Sequence, residues 1–397
     1  MARNEPSARV AAGIALAVWI LASAPGAAAA GSGAASPIRI GGSLSLTGNY
    51  SAMGTMQEKG YRLWEREINA AGGLLGRPVT LRILDDRSDR NRVREIYEDL
   101  LGHHRVDLAL SPYSSPLTLA VADIVERTRY PMLAAGASAP TIWETPRRYL
   151  FGVYSTADRY FIGFLELCAM NGLSRVSITG FPDSFSRTSA EGAKQWAESF
   201  GLSVDRYSIL DSREPDALRA EAAAIDASTP DAVVVAGHLH ETVGIRRALA
   251  EARARFRVFA GSVGPALPRF LERTGPLAEG VFGASQWEPD ERIPYPGNVA
   301  FVKAFRSEYG EDPSYHAASA YAAMQLLAEA VRETGSLDRE RIREELLQGE
   351  HGTILGPFRL RKDGTQIGHR SIIIQWQKGK KEIVWPERMR TARPVFP

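Results

Sequence analysis

Two serine-containing turns carry the residue types and the spacing best suited to binding an anion. Ser114 and Ser115 come directly before Pro116, and Ser138 lies in the small-residue segment Gly136 to Pro140. Serine followed by proline is also a common way to start a helix, so each turn by itself has a purely structural explanation. At the carboxyl ends of parallel strands, however, free backbone N–H groups, serine hydroxyls and the helix dipole together bind a carboxylate. Two such turns predict an anion-binding seat.

His238, His240 and Glu241 form a second group with ligand chemistry, because imidazole and carboxylate bind zinc or manganese. A third ligand is not visible beside them, so we expect neither a metal site nor a cofactor. The motifs GxxxxGKS, GxxxxGKT, HExxH and GxSxG and a strand-linked GxGxxG are absent, which argues against catalysis. An exported hydrolase that uses a serine with His238 or His240 is the enzymatic alternative, and it predicts turnover of esters or amides.

The composition limits the class of protein. A chain of 397 residues is long enough for more than one domain, and 44% hydrophobic with 24% charged residues is typical of a globular protein. The 48 basic and 46 acidic residues leave a net charge of +2, far below the excess that binding to many phosphates requires. We therefore expect no nucleic-acid partner. The single cysteine, Cys168, excludes an intrachain disulfide.

The N-terminus has the pattern of a secretory signal peptide over residues 1–30. Arg3 and Arg9 form a cationic region, Val10 to Leu21 is apolar, and a small-residue stretch ends at Ala30. The apolar run is shorter than the roughly 20 residues that span a bilayer as a helix. We expect cleavage near Ala30 and a periplasmic protein, with an uncleaved anchor as the alternative.

The elements that must position the turns follow an α/β rhythm. From Ile38 onward, short β-rich runs alternate with amphipathic helical segments, as expected for parallel sheets covered by helices on both faces. The rhythm restarts after Val153, where a second lobe begins. Two long helices are predicted at 298–309 and 317–334, and residues 354–385 have the pattern of antiparallel hairpins. Because no low-complexity linker separates the lobes, we expect adjacent short crossings and hinge closure on a ligand.

A set of motifs, met in order along the chain, carries a resemblance to a known family. These motifs are Ile38 to Gly42 with Ser45 to Gly48, Glu67 to Gly76, Asp85 and Asp86, Ser114 and Ser115, Ala135 to Ser138, Asp183 to Phe185, and Gly356 to Phe358 with Asp363 and Gly364. The chain resembles the leucine/isoleucine/valine-type (branched-chain amino acid) periplasmic binding proteins, which bind substrates for ABC transporters. The likeness covers nearly all of the chain after the predicted signal peptide.

The resemblance implies a type I periplasmic binding protein fold: two Rossmann-like α/β lobes, joined by three crossover segments, with the ligand cleft between them. The expected N-terminal lobe consists of residues 38–154 and 286–353, and the C-terminal lobe of residues 155–285 and 354–385. The implied function, without catalysis, is to capture a small carboxylate or amide by interlobe closure and to deliver it to a membrane ABC permease. A ligand sensor of a signalling or regulatory system with the same fold is the alternative.

Ten positions match ligand contacts of that family. They are Met53, Ser115, Ala137, Ser138, Phe185, His238, His240, Val263, Trp287 and Tyr315. The resemblance puts Ser115 and Ser138, with the backbone at Ala137, on the ligand carboxylate. It puts Met53 and Phe185 on the rest of the ligand, although such apolar residues are more often part of a core. Looser candidates, for the rim of the cleft and the second crossover, are Tyr315, His316 and Trp287.

The second lobe departs from the family pattern at the ammonium group of the ligand. His238 or His240 falls near a tyrosine that helps to hold this group, but Val263 stands where amino-acid binders have the acid that pairs with it. Burying a charge without its partner costs about 3 to 5 kcal/mol, which is on the order of a hundredfold to a few thousandfold in affinity. We therefore predict a ligand with a carboxylate but no free α-ammonium, such as an aliphatic or aromatic acid, unless Glu241 replaces the missing acid.

Overall fold

The computed structural model describes residues 36–397. The predicted signal peptide, residues 1–30, lies outside the described residues. Within the described range, no helix combines the length and the apolar character needed to cross a lipid bilayer.

Strands and helices alternate along the described chain, as predicted. The strands are β1 Ile38–Leu44, β2 Val79–Asp85, β3 Leu108–Ala109, β4 Met132–Ala134, β5 Leu150–Gly152, β6 Arg175–Gly180, β7 Ser203–Ile209, β8 Ala232–Val235, β9 Val258–Gly261, β10 Phe282–Ser285, β11 His351–Thr353, β12 Gly356–Phe358, β13 Ile372–Gln377 and β14 Lys380–Trp385. The α-helices are α1 Ser51–Ala70, α2 Arg90–Tyr97, α3 Ser115–Thr128, α4 Ile162–Met170, α5 Ser184–Ser199, α6 Pro215–Ser228, α7 Leu239–Glu251, α8 Pro268–Thr274, α9 Asn298–Tyr309, α10 Tyr315–Thr334 and α11 Arg339–Gln348.

The N-terminal part of the chain forms a small parallel sheet in the order β2–β1–β3. β1 pairs with β2 along its whole length, from Ile38 beside Val79 to Leu44 beside Asp85. β4 and β5 form a separate parallel pair. Because the strands of the small sheet are parallel, the loops that follow them open at one edge, where ligands bind in α/β folds. One predicted anion-binding turn follows β3 at this edge.

A large sheet contains seven strands in the order β14–β13–β10–β9–β8–β6–β7. β6 to β10 run parallel to one another, whereas β13 pairs antiparallel with β10 and forms with β14 the antiparallel hairpin that the sequence predicts. The interior strand β8 is buried at every residue, as expected where helices cover both faces. The edge strand β7 instead alternates exposed and half-buried residues over its first part. The burial of each strand therefore follows its place in the sheet.

Helices α1 and α10 pack closely against each other beside the small sheet. A Cβ atom added at Gly60 of α1 would lie 2.2 Å from the carbonyl oxygen of Ala317 in α10, so the absence of a side chain allows the contact. α1 ends where the sequence predicts, since Gly72 and Gly73 take φ values of 95° and 83°. This packing positions the first turn of α1 at the edge of the sheet.

Helix α11 is an element that the sequence analysis did not predict. Ile342 and Leu346 are the buried residues of this helix, and most of its other residues are charged or polar. One buried pair four residues apart is too weak a periodic signal to distinguish a helix from a polar loop. The helix is stabilised by its contact with α10.

Residues 351–366, which span the predicted lobe boundary after residue 353, contact α10 and β5. The N–H of Ile354 donates to the Gln325 side chain in α10 at 3.2 Å, and a backbone N–H of β5 donates to the Gly364 carbonyl at 2.8 Å. The chain joins the large sheet only at Ile372, where β13 begins. This segment therefore packs with the N-terminal elements, because its hairpin docks on α10 and β5.

Replacing Gly60 with alanine should lower the free energy of unfolding by about 1–3 kcal/mol, because the added Cβ would force α1 and α10 apart. Urea denaturation followed by circular dichroism measures this change. Gly102→Ala is the control, since nothing lies within 4 Å of a Cβ at that position, and its effect should stay below about 1 kcal/mol. Equal effects of the two substitutions would contradict the role given to Gly60.

Candidate functional site

The two predicted anion-binding turns lie side by side and are joined by hydrogen bonds. The N–H of Ser114 donates to the Gly136 carbonyl at 3.0 Å. The Ser115 hydroxyl, at the start of α3, accepts the N–H groups of Ser138 and Ala139 at 3.1 and 3.0 Å. All five residues are buried. We call this pair of joined turns the seat.

The backbone of the seat is strained at one residue. Ser114 has φ 81° and ψ 149°, a region that glycine adopts readily and serine rarely does. Strain of this kind costs about 1–3 kcal/mol and is concentrated at binding and catalytic sites. The bond from Ser114 to the neighbouring turn helps to hold this conformation.

Donor capacity remains in the seat after its internal bonds are formed. Within residues 36–397 the N–H of Ala137 donates to no protein acceptor, although Ala137 is 2% exposed. The Ser115 hydroxyl acts as an acceptor in both of its bonds and therefore keeps its own hydrogen for another partner. The Ser138 hydroxyl lies 3.1 Å from the Tyr160 hydroxyl. Buried N–H groups are nearly always paired, so the seat has room for one more acceptor.

His238 lies among aromatic rings that come from several elements. Its ring centroid is 4.9 Å from that of Tyr50, 5.1 Å from that of Phe185 and 6.2 Å from that of Tyr113. Neither ring nitrogen has a hydrogen-bond partner in the described part of the chain. The Asp183 carboxylate is 3.9 Å from Nε2, beyond hydrogen-bond distance. Tyr50 and Tyr113 come from loops after the small sheet, and Phe185 and His238 from loops or helix ends after the large sheet.

His240 does not belong to this group of rings. It is exposed, and its Nδ1 lies 3.1 Å from the guanidinium of Arg273. The sequence by itself did not distinguish His238 from His240. Residues two positions apart at the start of a helix are turned by about 200° from each other, so one of them faces inward and the other outward.

Two further predicted contacts have their side chains engaged elsewhere. Met53 is fully buried in the hydrophobic core. Trp287 is also buried, and its indole N–H donates to Asn298 at 2.7 Å. Tyr315, in contrast, stacks on His316 with 3.9 Å between ring centroids and so adjoins the rings around His238. The role of Met53 and Trp287 as ligand contacts therefore stays a prediction.

Val263 is buried beside the loop that precedes His238. The neighbouring Ser262 hydroxyl accepts the N–H of Gly237 at 2.9 Å and donates to its carbonyl at 2.6 Å, which ties the two loops together. Val263 is 2% exposed and brings no charge to this position. The acid of this region is Glu241, in the first turn of α7.

Glu241 is paired on one side only. Its Oε1 accepts from the Arg213 guanidinium at 2.5 Å, while the buried Oε2 has no partner among the described residues. Arg213 also lies 3.3 Å from Asp183. Burial acts to raise the pKa of Glu241, but His238 and Arg213 outweigh it and hold this pKa below its usual value. Glu241 therefore carries its negative charge at neutral pH.

Gln57, which was not predicted from the sequence, and His316, one of the looser candidates, also lie near the seat and the rings. Gln57 is fully buried, neither atom of its amide has a partner among residues 36–397, and a Cβ on Gly136 would lie 2.9 Å from its Nε2. His316 Nε2 is 3.4 Å from the Tyr113 hydroxyl. Burial, with a smaller effect of His238, lowers the pKa of His316 well below its usual value. The sequence does contain an indication of this role, because Gln57 is a polar residue one turn after Met53 on the apolar face of α1.

Three segments that pass between the two sheets meet at His369. Its carbonyl accepts from the Ser155 hydroxyl at 3.0 Å, and its Nε2 is 3.1 Å from the Gln286 side chain. Its Nδ1 is 3.0 Å from the Leu355 carbonyl. Burial lowers the pKa of His369 to about 4, although the two hydrogen-bond partners oppose this shift. The ring is therefore neutral at pH 7, and its contacts connect all three segments.

Comparisons with known proteins agree with this architecture. A family model described as periplasmic binding protein matches residues 37–381. The Leu/Ile/Val-binding protein homolog 2 of Brucella abortus (strain 2308) is 25% identical over 346 residues, which cover 86% of this chain and 91% of that relative. These matches extend over nearly the whole described chain.

Solved structures share the fold at low sequence identity. The leucine-binding protein LivK of Thermotoga maritima MSB8 superposes with a TM-score of 0.80 at 22% identity, covering 87% of this chain and 97% of that one. An ABC-transporter solute-binding protein of R. palustris, in complex with benzoate, gives a TM-score of 0.77 at 19% identity, and the match covers 88% of this chain and 95% of that one. The shared fold thus accommodates both an amino-acid binder and an aromatic-acid binder.

Ser115→Ala should lower the free energy of unfolding by about 1–3 kcal/mol, because two buried N–H groups lose their acceptor. Ser184→Ala is a matched control. Ser184 is likewise the first residue of its helix, but its hydroxyl has no partner among the described residues. Urea denaturation of both variants should show a loss for Ser115→Ala only, and equal losses would contradict the structural role of Ser115.

The free energy of unfolding should decrease as the pH is lowered below about 6.5, because the buried His369 resists protonation in the folded protein. The unfolded chain binds a proton at this residue near pH 6.5, whereas the folded chain does so only near pH 4, so acid favours unfolding by up to about 3 kcal/mol over this interval. Urea titrations at pH 7 and pH 4.5 measure the loss. His369→Gln should lose less stability over the same interval, and an identical loss in both proteins would refute this assignment.

Proposed function

This chain belongs to the periplasmic binding protein family, and on that premise we propose that it is the extracytoplasmic solute-binding protein of an ABC importer. The resemblance that the sequence carries and the predicted α/β fold are both confirmed, and the fold is that of a type I periplasmic binding protein. The chain is a solute-binding protein rather than an enzyme. Its proposed partner is a membrane ABC permease, and its proposed location is the periplasm after loss of the signal peptide.

The seat is the observation that carries the proposed ligand chemistry. The buried N–H of Ala137 has no acceptor in the described part of the chain, and the hydroxyls of Ser115 and Ser138 lie beside it. The N-terminal end of α3 adds the positive end of a helix dipole. These are neutral donors and a dipole, an arrangement that suits one carboxylate without requiring a counter-ion. We propose that the solute carries such a carboxylate and binds it here.

The two sheets belong to separate lobes in this proposal. The small sheet with α1, α2, α3 and α10 forms one lobe, and the large sheet forms the other. The crossings lie near Ser155, Gln286 and His369, where hydrogen bonds connect the three segments. Since the rings around His238 come from both sides, closing the lobes would bring them onto a solute held in the seat. Only the closed state would then contact the solute from both lobes, so binding would favour closure.

The rings suggest the class of the rest of the solute. Tyr50, Tyr113, Tyr160 and Phe185 present flat apolar surfaces near the seat. Aliphatic side chains and aromatic rings can both pack on such surfaces. We propose an amino-acid-like, aliphatic or aromatic acid, and the known ligands of relatives with this fold, leucine and benzoate, have the same general size.

A thermal-shift screen of amino acids, aromatic acids, dicarboxylates and amides tests this function. A solute present at 100 times its dissociation constant should stabilise the folded protein by about 2.7 kcal/mol, which raises the melting temperature. Carboxylates should raise the melting temperature, and the matching primary amides should raise it less, because the seat provides donors for two oxygens. A protein whose melting temperature responds to no carboxylate would refute the proposed function.

Ser138→Ala should lower the affinity for the carboxylates found in that screen by about ten- to hundredfold, because a hydrogen bond to a charged group is lost. Isothermal titration calorimetry measures the affinities. Ser228→Ala is the control, because this hydroxyl bonds within α6, far from the seat along the chain, and its affinity should match that of the unmodified protein. Unchanged affinity in Ser138→Ala would exclude the seat as the binding position.

A further inference from the structure

A cavity of about 500 Å³ lies beside the crossing segment that contains His369. Gly368 and Arg370, the residues on either side of His369, contribute to its wall. Tyr295, in the loop before α9, and Arg388, in the segment after β14, complete the polar part of that wall. We call this cavity the hinge groove. It lies at a connection between the two sheets and shares no residue with the seat.

The hinge groove has positive charge that the protein does not balance. Its wall contains the guanidinium groups of Arg370 and Arg388 and no acidic residue. Neither guanidinium forms an ion pair or donates a hydrogen bond within residues 36–397, and Glu387, the acid next to Arg388 in the chain, lies instead 3.6 Å from Arg390. Two like charges beside one cavity repel each other, so an anion bound there would be stabilised by both.

A second cavity, of about 490 Å³, adjoins the hinge groove and shares Tyr295 and Pro357 with it. The charged residues in its wall are Arg359 and Glu350, one of each sign, and the wall also contains His351. The charges of that cavity therefore balance when His351 is neutral. The excess of positive charge is located in the hinge groove.

Tyr295 adds a neutral donor to the hinge groove. Burial raises the pKa of Tyr295, and the nearby Arg388 opposes this shift only in part, so the hydroxyl keeps its proton at neutral pH. This hydroxyl forms no hydrogen bond with the described residues. The ring packs on the backbone of Gly356, where a Cβ atom would lie 2.6 Å from Cζ. This close packing holds the hydroxyl in place.

The shape of the hinge groove distinguishes it from an ordinary basic surface. Arg370 and Arg388 are exposed, as arginines usually are, and exposure by itself indicates no ligand. Here, however, two guanidinium groups and a hydroxyl without protein partners line the same concave surface. The rest of the wall is mainly apolar and includes Pro294, Pro357 and Met389. Such a surface suits a ligand with a strongly anionic end and an apolar body.

We propose that the hinge groove binds a phosphomonoester dianion. The guanidinium groups of Arg370 and Arg388 match its two negative charges, and with the Tyr295 hydroxyl they provide donors for three terminal oxygens. The apolar wall contacts the organic part of the ester, because the groove is much larger than an inorganic phosphate ion. This site is separate from the seat, whose neutral donors suit a single carboxylate, and it does not depend on the proposed function.

Phenyl phosphate is the probe for this site, and isothermal titration calorimetry of the full protein at pH 8 measures its binding. Its second ionisation, with a pKa of about 6, is nearly complete at this pH. Phenyl phosphate should bind at least about tenfold more tightly than benzenesulfonate, which has a similar ring but only one negative charge. Inorganic phosphate should compete with it for the same site, with lower affinity.

Arg388→Gln should lower the affinity for phenyl phosphate by about ten- to hundredfold, because a hydrogen bond between charged groups is lost. Arg388→Lys keeps the charge without the planar fork and should give an intermediate affinity. Arg361→Gln is the matched control, since it removes an exposed arginine of the neighbouring hairpin that does not line the groove, and it should leave the affinity unchanged. Circular dichroism verifies that each variant is folded.

Four results would overturn the inference. They are no binding of phenyl phosphate, equal binding of benzenesulfonate, equal effects of Arg388→Gln and Arg361→Gln, and binding that is lost in Ser138→Ala but kept in Arg388→Gln. The last result would assign phenyl phosphate to the seat. The proposed function is tested separately by the carboxylates, so it stands or fails independently of all four.

Discussion

The Ser115 hydroxyl is the contact on which the candidate site depends. By accepting the N–H groups of Ser138 and Ala139, it joins a turn after β3 to a turn after β4. Two loops from different strands thereby become one rigid surface, and the N–H of Ala137 is held in place between them. Because Ser115 is also the first residue of α3, the same contact aligns the dipole of that helix with the seat.

Several buried polar groups around the seat have no hydrogen-bond partner among residues 36–397. Both amide atoms of Gln57, both ring nitrogens of His238 and one oxygen of Glu241 belong to this set. Protein interiors rarely leave such groups unpaired, because each costs about 1–3 kcal/mol. Their concentration between the two sheets gives a physical reason for closure on a polar solute: the solute would satisfy groups that the protein alone does not.

The connection between the sheets has its own constraint. The three crossing segments are linked through His369, whose neutral ring and carbonyl bind the other two. In the proposed closure, a sliding of the two sheets would break the contacts of His369, whereas a bend at the three segments would keep them.

The order of strands and helices, the fold class and the two serine turns were all predictable from the sequence, because they depend on local periodicity, on turn residues and on motifs in order along the chain. The inward position of His238 rather than His240, the hydrogen bond of Trp287 to Asn298, and the packing of residues 351–366 were not predictable. Each of these depends on which distant surface a side chain or hairpin meets. The pairing of Glu241 with Arg213 likewise joins residues 28 positions apart. Sequence periodicity therefore determined the elements and the edge where the site lies, whereas only the tertiary structure decided which side chains face it, since burial and pairing arise between elements.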